Sequence, residues 1–176
     1  MPEPPKKIDD LQAAFAGDLL FIRVIGRGGF GVAAPMKQFI DERCRAHPLR
    51  IVVIDLAECI GMDSTFMGVL AGLSRRLKKT GKTLEVINLS EKNANLLSTL
   101  GVDQILTLYR DAHGYTIPEP QTGSLPTDQA SKKEMAETAL NAHQNLVEIN
   151  EENKPRFKRV IELLQEDVSR LNEPRQ

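Results

Sequence analysis

The apolar run Leu49–Leu56 passes through a short turn into Asp63-Ser64-Thr65 and then into a strongly helical period. The run has the length of a strand covered on both faces, as happens where helices pack on a parallel sheet. From Thr65 to Lys79 the apolar residues Phe66, Val69, Leu70, Leu73 and Leu77 recur at three and four, and Lys78, Lys79 and Gly81 supply the usual C-terminal signals. A buried strand feeding an amphipathic helix is the unit of an α/β layer with right-handed crossovers.

The flanking segments extend that unit. LQAAFA and DLLFIRVIG read as two short strands turning near Gly17-Asp18, an opening hairpin. Val32–His47 places Met36, Phe39, Ile40 and Cys44 on one helical face, with Pro35 tolerable in the first turn, and stops before Pro48. Thr83–Asn88 is the next strand, Ser90 caps a helix over Glu91–Leu100 that Gly101 ends, and Gln104–Leu108 is a last strand. The fold class expected is α/β: a mixed, mostly parallel sheet with an opening hairpin, helices packed against it, and a C-terminal helical extension.

Residues 1–9 read as a disordered start, 10–115 as the α/β domain, 116–129 as a linker and 130–173 as the extension. Composition shifts toward Gly, Pro, Thr and Ser between Asp111 and Asp128, where no hydrophobic period survives. Beyond it, Met135, Ala139, Ala142, Leu146 and Ile149 form one apolar stripe, and Phe157, Val160, Leu164, Val168 and Leu171 form another. Pro155 suits the first turn of a new helix, which favours a helical hairpin turning near Glu152–Lys154; the alternative is one kinked helix in a coiled coil. Either way the stripes need cover from the domain, from each other or from a second copy of the chain in a homodimer.

Among 176 residues, 41% are hydrophobic and the net charge is −1, so a core is within reach and no bulk field draws the chain to nucleic acid or anionic lipid. No apolar run approaches the roughly 20 residues of a membrane span, and MPEPPKKIDD lacks the apolar core of a secretion signal; the expectation is a cytoplasmic protein. Cys44 and Cys59 form no CxxC pair and are expected reduced. His47, His113 and His143 stand among polar neighbours without ligand spacing, so no metal site is expected.

Two constellations could carry chemistry. Gly26-Arg27-Gly28-Gly29-Phe30-Gly31 matches the dinucleotide fingerprint G-x-G-x-x-G, with Asp55 at the end of the next strand. The alternative is a strand-to-helix loop that needs glycine for its own geometry. No acid, base or nucleophile cluster accompanies the loop, so a small nucleotide-binding enzyme is the second reading, and neither cofactor nor catalysis is expected. At Asp63-Ser64-Thr65, one oxygen-bearing residue suffices to cap a helix and three exceed that need. A phosphate on a hydroxyl in a helix's first turn brings about two negative charges to the positive end of the helix dipole, and Asp63 would oppose it.

DLAECIGMDSTFMGVLAGL resembles the central segment of the STAS domain, the fold of bacterial anti-sigma factor antagonists, with its Asp-Leu strand end and Asp-Ser-(Ser/Thr)-x-x-Gly helix start. The likeness extends over about residues 10–115, through TGKTLEVINLS and LLSTLGVDQILTLY. It implies a non-enzymatic regulatory domain in a partner-switching pathway. Thr65 corresponds to the phosphoacceptor, with Ser64 the alternative and Asp63 beside them. The partners implied are an anti-sigma factor, often a serine/threonine kinase, and a phosphatase for the phosphorylated form. The resemblance places partner binding at Asp63, Ser64, Thr65, Phe66 and Met67 and at Gly28, Gly29 and Phe30 of the glycine loop. That loop carries none of the acidic residues often found there, and Phe66 either packs inward or presents its ring to a partner. STAS domains also serve as scaffolds of sensor assemblies and as subunits of lipid transporters, a third reading.

Overall fold

The computed structural model describes residues 2, 9–121, 124–127 and 129–174; the start expected to be disordered otherwise lies outside the described residues. The elements run β1 (Asp10–Ala16), β2 (Leu19–Gly28), α1 (Phe30–Ala46), β3 (Ile51–Asp55), β4 (Cys59–Met62), α2 (Ser64–Lys79), β5 (Thr83–Ile87), α3 (Glu91–Thr99), a 3-10 turn (Val102–Gln104), β6 (Thr107–Leu108), α4 (Lys132–Ile149) and α5 (Asn153–Asn172). β1 and β2 form the expected antiparallel hairpin, and β2, β3, β5 and β6 follow in parallel. Sequence expectation and structure agree on a mixed, mostly parallel α/β sheet with a helical extension.

Strand alternation divides the apolar residues between the two faces of the sheet. Leu20, Ile22, Val24, Val52, Ile54, Leu84 and Val86 join the helices in the main core. Phe21, Val53 and Ile87 point the other way and are covered by Tyr109, Tyr115 and Ile117. The central strands are thus covered on both faces, but helices do this on one side only; on the other, the chain after β6 takes their place.

That segment corrects the linker reading. Leu125 is buried in the main core, its amide donates to the Leu11 carbonyl at 2.9 Å, and the Gln121 amide donates to the Ala13 carbonyl at 3.1 Å. Polar composition hid a strap bound along the sheet's edge strand. β4 replaces part of the turn expected between Leu56 and Asp63: Cys59 opens a short strand that pairs in parallel with the tail of β2 after a register shift at Gly26/Arg27. Pro35 lies in the second turn of α1, deeper than expected, because the helix starts at Phe30.

The break at Asn150–Glu152 makes α4 and α5 a hairpin, of the two alternatives considered. Asn153 Nδ2 fixes the turn by donating to the carbonyls of Leu100 and Leu146 at 2.9 and 2.8 Å. No helix among the described residues is long and apolar enough to cross a membrane.

Candidate functional site

β4 sets the site by laying Met62 opposite Gly28, so that the Asp63 amide donates to the Gly28 carbonyl at 3.0 Å. The Asp63 carboxylate then serves two helices. Its Oδ1 accepts the Phe66 amide at 2.9 Å, capping α2, and its Oδ2 accepts the Phe30 amide at 2.8 Å. The N-cap residue of α1 is Gly29, which has no side chain to offer, so Asp63 supplies the missing acceptor from across the sheet end. Two positive helix ends therefore converge on one resident carboxylate.

Ser64 and Thr65 occupy the first turn of α2 directly after it. Thr65 is 6% exposed. The Ser64 hydroxyl lies 2.9 Å from Nε2 of His143 on α4. Nδ1 of His143 sits 2.7 Å from the Ala139 carbonyl, which can only accept, so Nδ1 carries the proton in the neutral ring and Nε2 accepts from Ser64. Burial pushes the His143 pKa down, against the Ala139 carbonyl and the charge of Asp63, which pull it up. His143 is a site residue that sequence reasoning assigned to polar surroundings. The usable signal was its place within the stripe of Ala139, Ala142 and Leu146, all buried with it.

The remaining expected partner-binding residues separate. Phe66 packs inward and is fully buried, and a Cβ on Gly28 would come within 3.0 Å of its ring. Met67 is buried as well. Phe30 stands out at 43% exposure, joined by Ile60 of β4 at 57%, a residue no sequence pattern had marked.

The glycine loop has its own structural reasons. Gly26 adopts a φ of +79° and Gly28 makes room for Phe66, while a Cβ on Gly29 would sit 3.1 Å from the Asp63 carboxylate. That carboxylate takes the α1 amide a pyrophosphate would need. Asp55 is engaged elsewhere: it accepts from the Ala57 amide at 3.0 Å and Asn88 Nδ2 at 2.9 Å, and lies 3.5 Å from Arg23 Nε. The fingerprint is thus packed as a strand-to-helix connection. Cys44 and Cys59 are free thiols, both pushed up in pKa by burial.

The sequence model of the STAS domain matches residues 10–114. No curated protein matches the chain closely enough to count as a relative. Among solved structures, the chain is similar to the anti-sigma factor antagonist SpoIIAA in its unphosphorylated form, at 15% identity and a TM-score of 0.51, over 56% of this chain and 86% of that one. It is similar to a Thermotoga maritima protein proposed to be an anti-sigma factor antagonist, at 17% identity and a TM-score of 0.53, covering 58% and 88%. A sulfate transporter family protein from Wolinella succinogenes matches at 17% identity and a TM-score of 0.51, covering 57% and 83%. At these identities the likeness is one of fold. With its hairpin, parallel sheet and helix order inside the matched span, the chain belongs to the STAS domain family.

Proposed function

We propose that this protein is a regulatory, non-catalytic binding domain that acts as an anti-sigma factor antagonist in a partner-switching pathway, with Thr65 as the phosphorylated toggle and Ser64 as the alternative acceptor. The observation that carries the reading is the Asp63 cap, which fixes two hydroxyls in the first turn of α2 where two helix N-termini converge. A phosphate there adds about two negative charges next to a carboxylate already in place, which alters the surface offered to a partner. The exposed Phe30 and Ile60 give that surface apolar anchors at the same end of the sheet. The partners are an anti-sigma factor with serine/threonine kinase activity and a phosphatase that restores the unmodified form.

The test is capture of the partner on the full chain, with intact-mass and peptide mapping of the bait. The reading expects an unmodified bait to hold the partner, Thr65→Ala to keep it and Thr65→Glu to lose it. Equal binding by wild type and Thr65→Glu, with no phosphate on Ser64 or Thr65, defeats the toggle. The likeness to a sulfate transporter family protein favours a second reading as a transport-assembly subunit. Stable co-purification with an integral membrane protein would select it.

A further inference from the structure

The extension seats itself on the candidate site. Along α2, Ser64, Gly68, Gly72 and Arg75 recur at four, four and three and form one stripe. Each meets α4. Ser64 pairs with His143, a Cβ on Gly68 would come within 2.3 Å of the Ala142 carbonyl oxygen, a Cβ on Gly72 would lie 2.4 Å from Asn145 Nδ2, and Arg75 donates to Glu148 at 2.7 Å. From Gly68 to Arg75 the partners rise from Ala142 through Asn145 to Glu148, so α4 runs parallel to α2, its backbone close against Gly68 and the Asn145 side chain over Gly72. At about 100° per residue, Thr65 falls on the flank of this stripe toward Arg76, which pairs with Asp41 of α1. It therefore faces the seam where α1, α2 and α4 meet.

We propose that the α4–α5 hairpin is an intramolecular lid: it occupies a helix-docking face of α2, and Ser64 and Thr65 become available to a partner only when it is displaced. This rests on the reading of that turn as the binding site. Two features make α4 displaceable. Its buried residues are Ala136, Ala139, Ala142, His143 and Leu146, so one large aliphatic side chain accompanies three single methyls, and hydrophobic gain scales with apolar area. A cleft of about 390 Å³ also remains between α1, α2 and α4, lined by Lys37, Arg75, Arg76, Thr138, Asn145 and Glu148. A competitor for this face has to match what α4 offers: a helix parallel to α2, an alanine-sized residue over Gly68 and a carboxylate for Arg75.

The experiment uses the full chain with Thr65→Cys as a reporter, its alkylation rate by a maleimide followed by peptide mass mapping to separate it from Cys44 and Cys59. Ala142→Glu places a charge in the α4 contact without altering α2. The lid expects labelling about tenfold faster in the double variant, with α4 amides losing hydrogen-exchange protection and β3 amides keeping theirs. Unchanged labelling overturns it, whether α4 has opened or has stayed docked over the buried charge. Collapse of β3 protection together with α4, in both Ala142→Glu and the milder Asn145→Ala, also overturns it, because the hairpin is then inseparable from the core. None of these readouts needs a kinase. A chain that opens this way yet never carries phosphate retires the toggle and leaves the lid standing.

Discussion

Asp63 holds the amide of Phe30 at 2.8 Å across 33 positions of sequence, so one carboxylate caps the helix it begins and a helix it does not belong to. This couples the glycine loop to the start of α2. Asp63→Ala should free an amide at each helix end, and at about 1 kcal/mol per lost cap the domain should lose about 2 kcal/mol. Asp63→Asn keeps one acceptor oxygen and should lose less. Urea denaturation of the three chains checks both expectations.

Phe66 separates a packing role from a binding role. It is fully buried beneath Gly28, so Phe66→Ala should cost about 3–5 kcal/mol, the usual range for emptying an aromatic site in a core. Phe66→Leu should cost much less and leave partner affinity unchanged, whereas Phe30→Ala should weaken partner binding with little effect on stability. Parallel unfolding and binding measurements check the contrast. A loss of affinity in Phe66→Leu at unchanged stability would contradict the inward packing.

Periodic elements were legible because their signals are local. The stripes of α2 and α4 and the runs of β2, β3 and β5 repeat over enough residues to declare themselves, and Ser90 and Gly101 mark the ends of α3 as expected. β4 was not legible, since Cys59–Met62 is four residues long, contains a glycine, and is a strand only because the tail of β2 lies beside it. The strap was hidden for a related reason: Leu125 is buried and Tyr115 and Ile117 are half-buried against the sheet, but they stand too far apart to make a period. At the site, the surplus of oxygen-bearing side chains at residues 63–65 was visible and its purpose was not. Asp63 serves a helix beginning at Phe30, and Ser64 meets a histidine 79 positions away. Long-range pairs of this kind leave no mark on local spacing.

The strap makes its own prediction through Tyr115. Its hydroxyl donates to Glu85 Oε2 at 2.6 Å and its ring stands edge-on to Phe21, with centroids 5.6 Å apart. Burial, then the hydrogen bond to Glu85 and the charge of that carboxylate, push its pKa up to about 12. The folded chain therefore keeps a proton that the unfolded chain releases near pH 10, and the stability this represents is complete below about pH 10 and lost as pH rises toward 12. Ultraviolet titration should show a tyrosinate step near pH 12 that is absent in Tyr115→Phe. Stability should fall less steeply in that variant over the same interval.

His143 gives the hairpin an opposite dependence on acid. The ring is buried between Ser64, the Ala139 carbonyl and the Phe157 ring, with Asp63 the charged group near enough to be felt, and burial holds its pKa below the ordinary 6.5. Below about pH 6.5 the undocked or unfolded chain binds a proton that the docked histidine refuses, so docking is fully stabilised above that pH and weakens as pH falls through the depressed value. Protonation also turns Nε2 from an acceptor of the Ser64 hydroxyl into a donor. The hairpin should accordingly show less hydrogen-exchange protection, corrected for intrinsic rates, at about pH 5 than at about pH 7.5, and His143→Gln should flatten the difference. Histidine NMR titration of the wild type should place one imidazole below the ordinary value. Equal protection of α4 at both pH values, with that imidazole shown to be protonated at the lower one, would break the link between this ring and the seating of the hairpin.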